Sequence, residues 1–354
     1  MNKNKRNLLL NLAAIFLLIL FLAYANRSLG SYNIRILNLC AIYAILGMSM
    51  NLINGFTGLF SLGHAGFMAV GAYTTALLTM PPAVKEQNFF LVPIVAPLAN
   101  INAPFAVAIL LGGLLAAVVA FLIGAPVLRL RGDYLAIATL GFSEIIRIIF
   151  TNTQSITNGS LGLKSIPTTT NLWWSYGSAL LTLYIMFAIV KSSYGKAFKA
   201  IREDEIAAES MGIDLFKHKV MAFVIGAFFA GVGGGLLGSL QGAINPLMFR
   251  FVLTFNVLLI IVLGGMGSLS GSVISAFVVT AGLEALRVLD EAIRIGPINI
   301  AGISGLRMVV FSSFLMIVVI FFQNGLLGTT ELSWERTFGF FRKFPFLKRR
   351  VPTK

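Results

Sequence analysis

Long apolar runs separated by short polar connections recur along the chain from its beginning to about residue 325. A helix that rises 1.5 Å per residue needs about 20 apolar residues to cross roughly 30 Å of hydrocarbon. The pattern therefore predicts an all-α membrane protein, a polytopic helical bundle of about ten transmembrane helices, with eight or nine as alternatives. The predicted spans are about 8–24, 34–53, 58–79, 105–128, 133–150, 177–191, 219–241, 251–266, 268–290 and 304–323.

Two of these spans are weak. The span 133–150 contains Glu144 and Arg147, and the span 251–266 is shorter than a straight crossing requires. Each is open to interpretation as a tilted, broken or re-entrant element. Since no charged stretch is long enough for a separate soluble domain, residues 1–330 are predicted to form a single transmembrane domain with a polar loop at 192–218. Residues 331–354 are then a basic tail.

Composition and charge support the membrane class and give it an orientation. Hydrophobic residues make up 57% of the chain and charged residues 11%, against about 45–50% and about 25% in soluble domains. Lysine and arginine are retained on the cytoplasmic face, which predicts cytoplasmic N- and C-termini. The net charge of +14 is assigned to topology and to anionic lipid of the bilayer rather than to nucleic acid. The basic residues of that face are Lys3, Lys5, Arg6, Arg129, Arg131, Lys191, Lys196, Lys199, Arg202, Lys217, Lys219, Arg336, Arg342, Lys343, Lys348, Arg349, Arg350 and Lys354.

The N-terminus has the form of a secretory signal, with basic residues before an apolar run and the small-residue pattern Ala23-Tyr24-Ala25. We interpret it as an uncleaved first span because the apolar run is long for a signal and the next span follows closely. Cleavage is the alternative. The lone cysteine, Cys40, has no second cysteine with which to form a disulfide or a thiolate metal cluster.

Motifs for catalysis or cofactor binding do not occur in the sequence. Neither His64 nor His218 has a metal-binding spacing, so no metal site is predicted. The pair Gly195-Lys196 lacks the first glycine and the following hydroxyl of a Walker A loop. No G-x-S-x-G nucleophile elbow occurs. The sequence thus indicates a non-catalytic chain that binds no cofactor itself, and transport is the remaining function class.

Two intramembrane carboxylates each have an arginine three residues later, which places both groups on the same helix face. These ion pairs are Glu144 with Arg147 and Glu284 with Arg287. Pairing lowers the cost of burying a charge in the membrane, so a structural role is favoured. A proton relay is the alternative.

Two glycine-rich segments, 54–64 and 264–271, share the pattern G-x-x-G-x-x-S, which is typical either of an internal repeat along a central path or of close helix packing. The first segment also has several hydrogen-bonding side chains in an apolar region. Polar groups there must be satisfied by substrate or by a neighbouring helix. We predict that they line the substrate path: Asn54, Thr57, Ser61, His64 and Tyr73.

The segment Ser193–Asp214 is dense in charge and lies between two candidate spans. From Lys196 onward its composition predicts a short helix at the membrane surface, with Gly212 as its stop. The pattern places Ala197, Ile201, Ala208 and Met211 on one face. An exposed, structured polar segment between spans indicates a docking surface for another protein.

Several motifs resemble a known family. Gly195-Lys196-Ala197, Ala200-Ile201-Arg202-Glu203, Ala207-Ala208 and Gly212-Ile213-Asp214 resemble the cytoplasmic coupling loop of ABC-importer permeases. Thr57-Gly58, Ser61–Ala65, Gly71–Tyr73, Arg131–Tyr134, Asn158–Gly162 and Leu263–Ser268 are similar to the LivM-type permeases of branched-chain amino acid importers. Leu59 departs from the glutamine of many relatives. The residues that the resemblance implies for coupling to the ATPase are Gly195, Ala197, Arg202, Glu203, Ala207, Ala208 and Gly212.

The resemblance implies a function and a set of partners. The chain would be the permease of an importer of leucine, isoleucine and valine in a bacterial-type cell membrane. Its partners would be a LivH-like second permease, two ATPase subunits of LivG and LivF type that use ATP–Mg, and an extracytoplasmic binding protein. A permease for urea, short amides or other amino acids is the alternative, and an ion-coupled secondary carrier is a more distant one.

Overall fold

The computed structural model describes residues 3–130, 132–286, 293–295, 298–300, 306–321 and 325–332. Regular structure in this part of the chain is almost entirely helical. The exception is an antiparallel pair of three-residue strands, β1 (Ile293–Ile295) and β2 (Ile298–Ile300), in which Ile293 pairs with Ile300.

The helices follow the predicted apolar runs, and each of the ten predicted spans overlaps a helix of the described chain. Between them lie short helices and turns, including a π-helical turn at Leu52–Phe56 and 3-10 turns at Gly159–Leu161 and Pro246–Phe249. The α-helices are α1 (Lys3–Ser28), α2 (Ser31–Asn51), α3 (His64–Thr79), α4 (Pro82–Asn88), α5 (Ala96–Ala99), α6 (Phe105–Val127), α7 (Asp133–Asn152), α8 (Gln154–Thr157), α9 (Leu172–Lys191), α10 (Ser193–Glu203), α11 (Glu205–Ser210), α12 (Leu215–Gln241), α13 (Phe251–Gly264), α14 (Leu269–Ala285) and α15 (Leu306–Phe321).

Six helical segments of the described chain are long and apolar enough to cross a membrane: Leu9–Ser28, Ser31–Phe56, Phe105–Val127, Asp133–Asn152, Leu172–Lys191 and Leu215–Gln241. The helices α13 and α14 are apolar but shorter. Helix α3 begins at His64, six residues later than predicted, because the chain from Thr57 to Gly63 is not helical.

Helix α12 lies at the centre of the bundle and packs against α2, α3 and α6. Glycines allow this close approach: a Cβ atom on Gly71 would overlap the carbonyl of Gly231, and one on Gly234 would overlap the carbonyl of Met68. Small residues at helix contacts are typical of membrane bundles, in which backbone proximity takes the place of hydrophobic burial. The glycines of α12 therefore serve packing.

Outward faces of the bundle are apolar. In the apolar stretch of α1, nearly nine tenths of the residues are not buried in the core. Helix α6 exposes Leu114, Phe121 and Leu122. Apolar surface of this extent is unfavourable in water but matches lipid or another membrane subunit. The bundle is therefore that of a membrane protein.

Connections between the helices collect at two ends of the bundle. At the Lys164 end, the side chain of Asn88 bonds the backbone of Lys164, and Leu163 pairs with Ile244. Here Lys85 is buried and donates to the carbonyls of Leu98 at 2.7 Å and Ile101 at 2.6 Å, and burial lowers the pKa of its amine.

At the Arg202 end, the segment after α9 meets the loop between α13 and α14. The segment 325–332 also packs there, since Glu331 accepts hydrogen bonds from the backbone of Leu269 and Ser270. The packed part of the chain therefore extends past the boundary predicted at residue 330. The rest of the basic tail lies outside the described residues.

Candidate functional site

The polar segment after α9 forms two short helices rather than the one helix predicted. Asp204 has an extended backbone, with φ −159° and ψ 114°, and its carboxylate accepts from the N–H groups of Ile206 at 2.8 Å and Ala207 at 3.1 Å. This is an N-cap, which satisfies donors that a helix start leaves free. Asp204 therefore ends α10 and begins α11.

The predicted helix stop at Gly212 is confirmed. Gly212 has φ +82°, and the next amide, that of Ile213, donates back to the carbonyl of Ala208 at 3.1 Å. A glycine with positive φ followed by such a bond closes a helix C-terminus in the Schellman manner. Asp214 then caps α12 by accepting from the amide of Lys217.

The seven predicted coupling residues differ in burial. Gly195, Ala197 and Ala208 are buried, and a Cβ on Gly195 would overlap the carbonyl of Val190. Arg202 is half-buried. Three members are exposed: Glu203, Ala207 and Gly212.

Met211 does not share the face of Ala197, Ile201 and Ala208, so that part of the prediction is wrong. It is 83% exposed. A single helical register does not continue from Ile201 to Met211, because Asp204 interrupts it.

Two apolar side chains stand out on this otherwise polar segment. Ile206 is 70% exposed and Met211 is 83% exposed, on either side of Ala207. We call Ile206, Ala207 and Met211 the tip. The acidic residues Glu203 and Glu209 nearby are exposed as well. Ile206 was missed from the sequence, where it is one isoleucine among several at helical spacing.

Behind the tip, the segment is anchored to the bundle. Phe198 and Ile201 are buried, and Lys199 lies 5.6 Å from the ring centroid of Phe56. The amine of Lys219 on α12 lies 2.6 Å from a carboxylate oxygen of Glu205. Exposed apolar side chains on an anchored polar helix pair are typical of a site that binds another protein.

The two glycine-rich segments lie side by side at the Arg202 end. We call Leu52–Gly63, which follows α2, and Gly265–Ser268, which joins α13 to α14, the glycine breaks. Asn51 connects them: its Nδ2 donates to the carbonyl of Ser268 at 2.8 Å and to the hydroxyl of Ser272 at 2.7 Å, while its Oδ1 accepts from the amide of Gly267 at 2.8 Å. Asn51 was missed from the sequence, although an amide in an apolar run was a signal for it.

Four of the predicted path residues are buried and bonded within the chain. Asn54 and Ser61 bond each other through side chain and backbone at 3.2 Å and 3.4 Å. Thr57 donates to the carbonyl of Leu52 at 2.9 Å. His64 meets the hydroxyl of Ser49 at 2.8 Å; that hydroxyl donates to Leu46, so Nε2 of His64 is the donor. The role of these residues in a substrate path stays a prediction.

Tyr73 lies apart from these four residues. Its ring packs edge-on against Phe150, and its hydroxyl has no hydrogen-bond partner among the described residues. It lines an apolar cavity of about 260 Å³ between α3, α6 and α7, with Leu77, Leu115 and Phe150.

The predicted ion pairs have different outcomes. Arg147 donates from Nε to Glu144 at 2.6 Å, one turn along α7, and both side chains are mostly buried. Glu284 accepts from the hydroxyl of Tyr32 at 2.8 Å. Arg287 lies outside the described residues.

A helical bundle with apolar outward faces and an anchored polar segment between two long helices defines a multi-pass membrane protein. Residues 32–323 match the family described as "Branched-chain amino acid transport system / permease component", and the chain belongs to that family. The resemblance inferred from the motifs is therefore confirmed.

Relatives of both permease types are similar to the chain. The High-affinity branched-chain amino acid transport system permease protein LivM of Escherichia coli K12 is 35% identical over 293 residues, which cover 73% of this chain and 64% of the relative. LivM of Salmonella typhimurium is 35% identical, with 75% and 65% covered. LivH of Salmonella typhimurium is 24% identical, with 82% and 92% covered. The chain thus spans slightly less than two thirds of these two LivM relatives, and no solved structure matches it.

Proposed function

We propose that the chain is the permease subunit of an ABC importer for branched-chain amino acids, and that it couples the translocation path to partner ATPases. The observation that carries the coupling role is the tip. A polar helix pair that exposes Ile206 and Met211, beside a partly buried ion pair and a capped helix start, is suited to a groove in another protein. Family membership and the names of the relatives support the cargo.

In this proposal the coupling residues have two tasks. The exposed Glu203, Ala207 and Gly212, with Ile206 and Met211, contact the ATPase. The buried Gly195, Ala197 and Ala208 and the half-buried Arg202 hold the segment on the bundle. ATP-driven closure of the ATPase pair then pushes on α10 and α11 and switches the bundle between outward- and inward-open states.

The orientation is part of the proposal. Ten crossings with both termini in the cytoplasm are supported by the basic residues around α10 and by the segment 325–332, which packs at the same end of the bundle as Arg202. A cysteine at Asn4 in a Cys40→Ser background should resist an impermeant thiol reagent on intact cells, and one at Gln87 should react. The opposite result would reverse the orientation.

The partners are a LivH-like second permease, LivG- and LivF-like ATPases that bind ATP–Mg, and an extracytoplasmic binding protein, all within the lipid bilayer or at its faces. The names LivM and LivH among the relatives support the permease pair. Leucine, isoleucine and valine are the proposed cargo. Isolating the complex in mild detergent and measuring the ligand affinities of its binding protein would identify the cargo directly.

Substitution of the tip tests the function. Ile206→Asp places a charge in a contact that should be desolvated on docking, so we expect purified permease to lose at least about tenfold in affinity for its ATPase subunits. The fold should be unchanged, because Ile206 makes little contact with the bundle. Gln87→Asp, exposed at the Lys164 end, is the matched control.

Two results would contradict the proposal. Full ATPase binding by a folded Ile206→Asp variant would remove the tip from the interface. Uptake by the chain alone in proteoliposomes, driven by an ion gradient, would favour a secondary carrier instead.

A further inference from the structure

Arg202 lies between α10 and the two glycine breaks. Its Nη1 donates to the carbonyl of Gly55 at 3.1 Å, across 147 residues of sequence. A Cβ on Gly58 would lie 2.9 Å from Cγ of Arg202, and one on Gly267 would lie 2.8 Å from its Nη1. Both breaks therefore have glycine where the arginine side chain passes.

Asn51 extends this contact into the bundle. It bonds the amide of Gly267 and the carbonyl of Ser268, as described above, and it lies directly beside Gly55, where an added Cβ would overlap its Oδ1 and lie 2.6 Å from the amide of Gly267. A continuous set of contacts thus leads from α10 through Arg202, Gly55 and Asn51 to the start of α14.

We propose that Arg202 and Asn51 are positioning residues that transmit movement of α10 and α11 to the two glycine breaks, and through them to α3 and α14. The inference rests on the proposed function, since it assigns how a push by the ATPase reaches the path. This role differs from docking. The side chain of Arg202 is only 26% exposed, and its hydrogen bonds go to Gly55 and Glu203 of the same chain.

The chemistry of these contacts suits transmission. Apolar side chains slide past each other at little cost, whereas a charge-assisted or amide hydrogen bond holds one direction and distance. The breaks are also where helices can reorient, because the chain from Thr57 to Gly63 and from Gly265 to Ser268 has no continuous helical hydrogen bonding. A bond from α10 to such a break moves the helix that begins after it.

The test uses the assembled complex with its ATPases. Arg202→Met keeps the length and apolar stem of the side chain but removes the bond to Gly55. We expect the variant to retain its ATPase subunits while uptake falls roughly tenfold. Loss of one charged hydrogen bond changes an equilibrium constant by about this factor, here the equilibrium between the two states of the bundle. Arg202→Lys, which keeps a charged donor, should recover part of the uptake.

A reporter in the second break separates transmission from stability. Met266 is 45% exposed beside Gly267. In a Cys40→Ser, Met266→Cys background, the rate of thiol labelling should change when the complex is trapped with ATP and vanadate. With Arg202→Met or Asn51→Leu, that nucleotide dependence should disappear, and the double variant should be no worse than either single one.

Controls distinguish the alternatives. Lys191→Met removes an exposed cation at the end of α9, just before α10, and should leave uptake within twofold of wild type. Loss of the ATPase subunits from Arg202→Met would make Arg202 a docking residue and overturn the inference, as would normal uptake or unchanged nucleotide dependence of Met266→Cys labelling. Failure of the wild-type chain to bind ATPases would instead overturn the proposed function, and the inference with it.

Discussion

The tip and the glycine breaks differ in the exposure and hydrogen bonding of their side chains. At the tip, Ile206 and Met211 are exposed, and the local hydrogen bonds are helix caps. In the first break and at its two edges, the polar side chains of Asn54, Asn51 and His64 are buried and bonded within the chain. Incomplete burial at the tip is expected where a partner will complete the contact. Internal satisfaction in the breaks is expected where backbone must remain ordered without a helix.

The comparison has a direct consequence for mutations. Changes in the breaks should lower the stability of the permease by itself, because each contact there is intramolecular. Changes at the tip should leave that stability alone and appear only when the ATPases are present. The four expectations below run from the largest loss of stability to the smallest.

Gly55→Ala should have the largest effect. Its added methyl group would overlap Oδ1 of Asn51 and lie 2.6 Å from the backbone amide of Gly267. The Asn51 side chain cannot move away without losing its hydrogen bonds to Gly267, Ser268 and Ser272. Overpacking of this kind costs about 3 kcal/mol at its upper range. We expect a clear drop in the melting temperature measured by fluorescence-detected size exclusion in detergent. Gly141→Ala on α7, where a Cβ meets open space, is the control and should be neutral. Equal melting temperatures for the two variants would mean that the residues around Gly55 shift at little cost to accommodate the methyl group.

Glu205→Gln should have the next largest effect, and it should exceed that of Lys219→Met. The Lys219 side chain is 5% exposed, so removal of the acid leaves a buried amine without its ion partner, at about 2 kcal/mol. Removal of the lysine instead leaves Glu205, which is 34% exposed and able to turn to water. Melting temperatures of both variants measure the difference. Equal losses would show that water reaches the amine.

How much of this was predictable from the sequence depends on the range of the interactions. The helices were predictable because apolar length is a local property, and the stop at Gly212 because a positive φ favours glycine. The break at Asp204 was a missed local signal, since an aspartate before Glu205 is a common helix start. The bonds from Arg202 to Gly55 and from Asn51 to Gly267 were not predictable, because their partners are 147 and 216 residues away.

Glu331→Gln should have a moderate effect. Its carboxylate accepts from the amides of Leu269 at 2.8 Å and Ser270 at 3.0 Å at the start of α14, where a negative charge also suits the helix dipole. We expect a loss of about 1 kcal/mol, the usual worth of a helix cap. Limited proteolysis within the segment 325–332 should become faster, because the segment is then held less firmly against the start of α14. Glu209→Gln, exposed on α11, is the control of equal charge change. Unchanged cleavage would indicate that the segment 325–332 is held mainly by its backbone bonds to Leu263 and Gly264.

Gly212→Asp and Gly212→Asn should have the smallest effect on the stability of the isolated permease. The two variants should differ in their affinity for the ATPase subunits. Both residues tolerate positive φ better than other non-glycine residues, and a Cβ at Gly212 meets nothing within 4 Å, so each should cost less than about 1 kcal/mol of stability. The two side chains have nearly the same shape, so the difference between them isolates the charge. Beside Met211 that charge would be desolvated in a docked complex, and we expect Asp to weaken ATPase binding several-fold more than Asn. Binding of the ATPase subunits to immobilised permease measures this ratio. Equal binding by the two variants would place Gly212 outside the contact and limit the interface to the α11 face that carries Ile206.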